Sequence, residues 1–470
     1  MSGERSGYTP RGYQHYILRR IESLRGTNVL LELDCGLGKR FITHQLICEK
    51  FPDLRFIVVV HSSSSLAETV DYLRNAYGGL EDDLGELSSR VPSRVRARVL
   101  REHRVVVTTP QILARMLESH PEVFEPFDIL LINEVDTIVR RTGGRTALVF
   151  PWPTILSALR HKWIIGMSGT LRDDHAVFTE EQLEIRRELA TLQQHIPNSV
   201  VVTMEDLADT DVEQFLVPTL LRVEPVHDSR IRTISTVLDE LIRDTREQID
   251  VDLDEDGNLD LIGDDPRRVH LMLERLPVSD RLKSQYLRLL LLRKYVFAMP
   301  PSQFLPLFQN EYLAHYLNVS HMRHMLPEVS TKAQRVLEIA SQYKKTVVLT
   351  SYLEMVSQIR RLLTDAGLQT LTITGQTRDK NSVLQRFRDE DVRVLIMSPV
   401  GERDLDIPQA DVMIVCDTVN TVKTMYQKFK RTRGGEVILL VYAGTSEERK
   451  VKRLIDNLLE RYPWSTEMSG

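Results

Sequence analysis

Val29-Leu30-Leu31-Glu32-Leu33-Asp34-Cys35-Gly36-Leu37-Gly38-Lys39-Arg40 is the stretch on which the fold turns. A short run of branched apolar residues ends in two glycines and a lysine, and a helical pattern follows. Glycines let backbone N–H groups curl around phosphate oxygens, a helix N-terminus favours their charge, and a lysine reaches the β/γ oxygens. An ordinary strand–helix turn would account for the glycines alone. With Lys39 added, Gly36, Gly38 and Lys39 read as a phosphate loop.

Outward from this loop the same punctuation repeats. Phe56–Val60, Val105–Val107, Ile129–Ile132 and Trp163–Ile165 are short apolar runs bounded by polar or glycine signals. With Val29–Leu33 they predict five buried parallel strands joined by crossover helices, a doubly wound α/β sheet. From about Asp228 the strand-like runs vanish and Leu, Arg and Glu recur at helical spacing, broken by an acidic stretch from Asp250 to Asp265. Alternation returns in Thr346–Thr350, Thr370–Thr374, Val392–Met397, Val412–Cys416 and Val437–Tyr442, which predict a second α/β lobe. The expected boundaries are a first lobe over 1–225, a helical insert over 226–328 with its acidic loop at 250–265, and a second lobe over 329–470.

Totals narrow the class. The 470 residues exceed one ordinary core, and 42% hydrophobic with 27% charged residues fits a globular protein. No apolar run is long enough to span a bilayer and the first residues have no secretory pattern, so no membrane partner is expected. Three scattered cysteines, Cys35, Cys48 and Cys416, show no metal-ligand spacing and suit a reducing, cytoplasmic compartment. A net charge of −5 argues against a protein that coats nucleic acid through a general basic surplus, but leaves room for one local groove.

Two positions around the loop are unusual. A Ser or Thr hydroxyl normally follows the lysine and ligates Mg²⁺, but here the residue is Arg40. A guanidinium cannot ligate a cation, though it can pair with phosphate directly. After the Ile129–Ile132 strand comes Asn133-Glu134-Val135-Asp136, where phosphate-loop motors carry Asp-Glu. Glu134 keeps the carboxylate that polarises water, while Asn133 offers hydrogen bonds but little attraction for a divalent ion. ATP is the expected cofactor, with Mg²⁺ doubtful and no metal ligands assigned.

The order of motifs resembles superfamily-2 helicases, in particular the helicase part of archaeal Hef and its relative, the Fanconi-anaemia M translocase. The likeness runs from about residue 9 to 450 and implies two RecA-like lobes (parallel sheets flanked by helices) with a helical insert between them. Pro10-Arg11-Gly12-Tyr13-Gln14 is similar to the family's opening motif, which implies that Gln14 contacts adenine. Thr108-Thr109-Pro110-Gln111 resembles the segment that touches the nucleic-acid backbone, giving Thr109 and Pro110. Ser168-Gly169-Thr170 stands where the family couples nucleotide to track, giving Ser168 and Thr170. Gly401-Glu402-Arg403-Asp404-Leu405-Asp406-Ile407-Pro408 is the most specific match; Gly401 is assigned to nucleic acid and Asp406 to the ribose/lobe interface. Gln427 to Gly434 resembles the arginine-finger motif, with Arg431 in register and Arg433 one residue early. A one-residue displacement matters for a group that must reach a γ-phosphate. Ser62 to Leu66 replaces a Pro-Thr-Lys-Pro-Leu pattern and loses a lysine.

Other features have bland readings beside the functional one. Arg90, Arg94, Arg96, Arg98, Arg101 and Arg104 suit either a phosphate-binding face or a solvated helix balanced by Glu81 to Glu86. The Asp252 to Asp260 spacing starts like a calcium loop, but Gly263 stands where the bidentate Glu is needed. Tyr426 and Phe429 among Lys423, Lys428 and Lys430 read as core packing rather than base stacking.

Three functions stay open. The leading one is a Hef-like protein on forked or branched DNA in repair or replication-fork processing, nucleoid-associated, with ATP hydrolysis weakened or lost. The second is an active ATP-dependent helicase or translocase, and the third an interaction scaffold. No nuclease signature follows residue 450, so any cutting is expected from a partner nuclease or another repair or replication protein.

Overall fold

The computed structural model describes residues 9–75, 80, 82–142, 145–172, 174–178, 183–249, 269–270, 273–274, 279–308, 324, 326–398, 409–417, 422–430 and 435–469. The chain divides into two units, Met1–Leu216 and Val217–Gly470.

In the first unit the strands are β1 (Val29–Glu32), β2 (Phe56–Val59), β3 (Leu84–Leu87), β4 (Val105–Thr108) and β5 (Ile129–Asn133). A hairpin of β6 (Val139–Thr142) and β7 (Arg145–Leu148) follows, then β8 (Trp163–Ser168), a second hairpin of β9 (Asp174–Phe178) and β10 (Leu183–Arg187), and β11 (Val200–Val202). The main sheet is parallel throughout, in the order β11-β1-β8-β5-β2-β4-β3. Its central strands β1, β2, β4, β5 and β8 are those predicted, because helices cover both faces and make their sequences continuously apolar. The chain passes from β1 to β2 three places along the sheet, leaving β8 and β5 between them. Ligands of open α/β sheets bind beyond the carboxyl ends of strands at such a reversal.

The second unit has its own parallel seven-stranded sheet. Its strands are β12 (Thr219–Val226), β13 (Thr346–Leu349), β14 (Thr370–Ile373), β15 (Val394–Met397), β16 (Val412–Val415), β17 (Glu436–Tyr442) and β18 (Thr466–Met468). The order is β14-β15-β13-β16-β17-β12-β18. The expected first-lobe boundary at residue 225 is corrected here, because the second unit begins at Val217. β12 instead pairs with β17 from Leu220↔Glu436 to Val226↔Tyr442. Its apolar and polar residues suit either sheet, and only the pairing register decides which one it joins.

Between β12 and β13 lie a helix over Ser229–Ile249 and another over Asp280–Ala298, packed together. Gln285 Nε2 donates to Thr245 Oγ1 at 3.1 Å and Arg293 pairs with Asp239 at 2.9 Å. The Lys332 ammonium joins this region to the sheet. It donates to the carbonyls of Phe297 (3.1 Å) and Cys416 (2.8 Å) and to the Glu447 carboxylate (2.7 Å). The acidic stretch and its calcium-like spacing lie outside the described residues. Tyr426 and Phe429 are each 1% exposed, and Tyr426 stacks on Tyr462 at 4.4 Å, so these aromatics pack the core.

Candidate nucleotide site

The site is built at the carboxyl ends of β1, β5 and β8. Register aligns Glu32 of β1 with Ser168 of β8, and Met167 of β8 with Asn133 of β5. The segments that follow these strands therefore emerge side by side.

After β1 the backbone turns through Gly36 (φ +86°) and Gly38 (φ +87°), a region that L side chains reach at a cost of about 1–2 kcal/mol. A Cβ at Gly38 would also stand 2.8 Å from Gln14 Nε2. The loop is closed on itself. Lys39 Nζ donates to the carbonyls of Leu33 (2.8 Å) and Asp34 (3.2 Å), and the Asp34 carboxylate accepts the Cys35 N–H at 2.6 Å. Helix α2 (Lys39–Gln45) begins at the lysine.

Helix α1 (Gly12–Ser23) braces this loop from behind. Its first N–H groups, from Gly12 and Tyr13, donate to the Asp211 carboxylate at 2.9 and 2.6 Å. Arg11 lies over the Phe215 ring at 4.0 Å. So anchored, Tyr13 Oη donates to the Leu37 carbonyl at 2.8 Å. Gln14, 2% exposed, accepts the Arg11 N–H and turns its amide toward Tyr13 Oη and Leu37 O. The predicted adenine-contacting glutamine is thus placed beside the loop and helps to set its shape.

Arg40 does not project into the loop. It pairs with Glu68 of α3 (Ser63–Asn75), both side chains remaining partly exposed. At the end of β5, Asn133 Oδ1 is buried and has no hydrogen-bond partner among the described residues. Glu134 adopts a left-handed backbone (φ +58°), and its Oε2 lies 2.8 Å from His61 Nδ1, just beyond β2. A carboxylate only accepts, so His61 donates from Nδ1.

Asp136, 2% exposed, takes both hydroxyls of the segment after β8. Ser168 Oγ donates to its Oδ1 at 2.6 Å and Thr170 Oγ1 to its Oδ2 at 3.0 Å. Ser168 and Thr170 are themselves buried, so their hydroxyls face Asp136 and not solvent. Thr109 is the residue before α5 (Pro110–Ser119) at the end of β4, and Pro110 occupies the first helical position, where its missing N–H costs nothing. Gly401, Asp406, Arg431 and Arg433 lie outside the described residues.

The sequence did not point to His61, Glu68 or Asp211. Each acts through a partner 28 or more positions away in the chain, and no spacing rule reaches that far. The basic run is mostly engaged within the protein. Arg98 pairs with Glu102, Arg101 with Glu122 and Arg104 with Asp83, and Arg96 donates to the Val91 carbonyl.

The loop geometry fits a phosphate group: two left-handed glycines, an adjacent ammonium, and a brace that holds the turn. A divalent ion fits poorly. The position that should offer a hydroxyl offers a paired guanidinium, and the position that should offer a carboxylate offers a neutral amide. Among the described residues no group of three or more His, Cys, Asp or Glu could hold a metal, and no helix is long and apolar enough to cross a membrane.

Comparison with known proteins agrees with this layout. Residues 7–173 match the family model described as type III restriction enzyme, res subunit, and residues 331–435 match the helicase conserved C-terminal domain. A putative ATP-dependent RNA helicase of Methanocaldococcus jannaschii is 20% identical over 91% of this chain and 59% of its own length. The DEAD-box ATP-dependent DNA helicase Fancm of Drosophila melanogaster is 23% identical over 51% of this chain and 15% of its own. The chain thus spans less than two thirds of these relatives. The helicase domain of Pyrococcus furiosus Hef superposes with a TM-score of 0.64 at 17% identity, covering 94% of this chain and 98% of that one. Two family-model matches in the expected order and one shared fold make this chain similar to superfamily-2 helicases, with two RecA-like lobes as in its structural neighbour, the Hef helicase domain.

Proposed function

We propose that the protein binds DNA, preferentially forked or branched, through a helicase fold whose ATP hydrolysis is weakened or lost. The observation that carries this reading is the pairing of Arg40 with Glu68 where a metal-ligating hydroxyl is expected, beside a neutral Asn133. Hydrolysis by such motors relies on a divalent ion to neutralise charge developing on the γ-phosphate. A site that keeps Lys39 and Glu134 but gives up both ion-supporting groups retains nucleotide binding better than turnover. Support for nucleic acid as the substrate comes from the relatives, which include the DNA helicases Fancm and mph1 and a putative RNA helicase. The forked preference is what the motif resemblance to Hef-like helicases implies, and a nuclease or another repair or replication protein is the partner proposed for such a branch-binding module.

Binding of the full chain to forked and linear duplex DNA across a salt series tests the nucleic-acid half. Tighter binding to forks, weakening with salt as counterions are released, is expected. Absence of binding at low salt would leave an interaction scaffold as the better account. Retention of Lys39, and of Glu134 in contact with His61, favours an active motor instead.

A further inference from the structure

Glu68 is a half-exposed carboxylate paired with Arg40, which stands in the first turn of α2 where a working phosphate site carries a hydroxyl. Arg40 is 45% exposed and Glu68 40%, and they meet from adjacent helices, α2 and α3. An exposed pair of this kind is weak, worth at most about a fivefold change in an equilibrium. A phosphate group presents more charge and accepts two parallel guanidinium N–H bonds, so it competes well for the same fork.

The charge balance points the same way. Exchanging a hydroxyl for Arg40 adds one positive charge, and exchanging a carboxylate for Asn133 removes one negative charge. Together they supply what a divalent cation would have brought. Asn133 adds a second effect, because an amide donates N–H bonds to phosphate oxygens while a carboxylate repels them. Its Oδ1 has no partner among the described residues, so no contact there holds the amide in one orientation through that oxygen.

We propose that this site takes a nucleoside triphosphate free of any divalent ion, and that Glu68 is the resting counter-charge from which Arg40 moves onto the phosphates. The proposal rests on reading the first unit as a nucleotide site. In it Lys39 and Arg40 act in sequence. The lysine leaves the Leu33 and Asp34 carbonyls, the arginine leaves Glu68, and both close on the polyphosphate. Glu68 is a positioning residue that sets how readily Arg40 is released.

The experiment is equilibrium binding of ATP to the full chain by calorimetry, in excess EDTA and in excess Mg²⁺. It uses the wild type, Glu68→Gln and Arg40→Ser, with thermal melting to confirm that each is folded. Wild type is expected to bind in EDTA within about threefold of its affinity in Mg²⁺. Glu68→Gln should tighten the EDTA affinity about two- to fivefold, the range an exposed pair allows. Arg40→Ser should weaken binding in EDTA about tenfold or more while weakening binding in Mg²⁺ less. Binding by the wild type only when Mg²⁺ is present overturns the metal-free proposal and leaves the nucleotide site standing. Unchanged or weaker EDTA affinity in folded Glu68→Gln overturns the role of Glu68. Absence of ATP binding in both buffers sinks the nucleotide-site reading itself.

Discussion

Ser168 Oγ donates to Asp136 Oδ1 at 2.6 Å, with both side chains buried, and so ties the segment after β8 to the turn after β5. Thr170 completes the contact on the other carboxylate oxygen. Thr137 closes the left-handed turn locally, its N–H and Oγ1 donating to the Glu134 carbonyl at 2.9 and 2.7 Å, and the Asp136 contacts fasten that turn to β8. Ser168→Ala should cost about 1–3 kcal/mol, because the Asp136 carboxylate loses a buried donor. Thermal or urea unfolding reads this loss. A change below about 0.5 kcal/mol would mean that Asp136 is satisfied without Ser168.

Arg172 holds a second buried carboxylate. Its Nε and terminal nitrogen donate to Glu32 at 2.7 and 2.6 Å, Glu32 being 1% exposed, and it also pairs with Glu205 near the surface. The Arg172 guanidinium holds the Glu205 carboxyl below its ordinary value, against the opposing effect of partial burial. Arg172→Ala removes the ion-pair partner of buried Glu32 and leaves it the Met204 N–H at 3.3 Å, with an expected loss of about 3–5 kcal/mol. Arg172→Lys should recover only part of it, as an ammonium cannot make the two-pronged contact. Equal stability of the Lys variant and wild type would show that the fork geometry is not used.

Most of the sheet core was legible in the sequence. β1, β2, β4, β5 and β8 are covered on both faces, so their residues are continuously apolar and announce themselves. The edges were not. β3 (Leu-Gly-Glu-Leu) sits inside what reads as an acidic stretch, and β11 and β18 have only three residues each. Edge strands gain from polar residues that discourage further pairing, which erases the pattern used to find them. In the site, the residue types that handle phosphate were readable from Gly36 to Arg40. The partners that aim them were not, since Glu68, His61 and Asp211 are joined to their targets by folding alone.

Stability of the second unit should depend on alkaline pH through Lys332. Burial works to lower the pKa of this fully enclosed ammonium, but Glu447 and the neighbouring Tyr442 outweigh it, and the net direction is upward. A group raised in the folded state contributes fully below its unfolded value, about 10.4, and that contribution is lost as pH climbs through the folded value. The midpoint of urea unfolding should therefore fall above pH ~10.4 in wild type and much less in Lys332→Met. At neutral pH Lys332→Met should cost about 3–5 kcal/mol by stranding Glu447, and adding Glu447→Gln should restore a good part. A double variant no better than the single one would assign the cost to lost packing.

Steady-state ATP hydrolysis with forked DNA and Mg²⁺, compared among wild type, Lys39→Ala and Glu134→Gln, bears most directly on the idea that the ion-supporting groups have been given up. The account predicts background turnover in wild type that neither substitution lowers further. Turnover above background that Lys39→Ala or Glu134→Gln abolishes would contradict it.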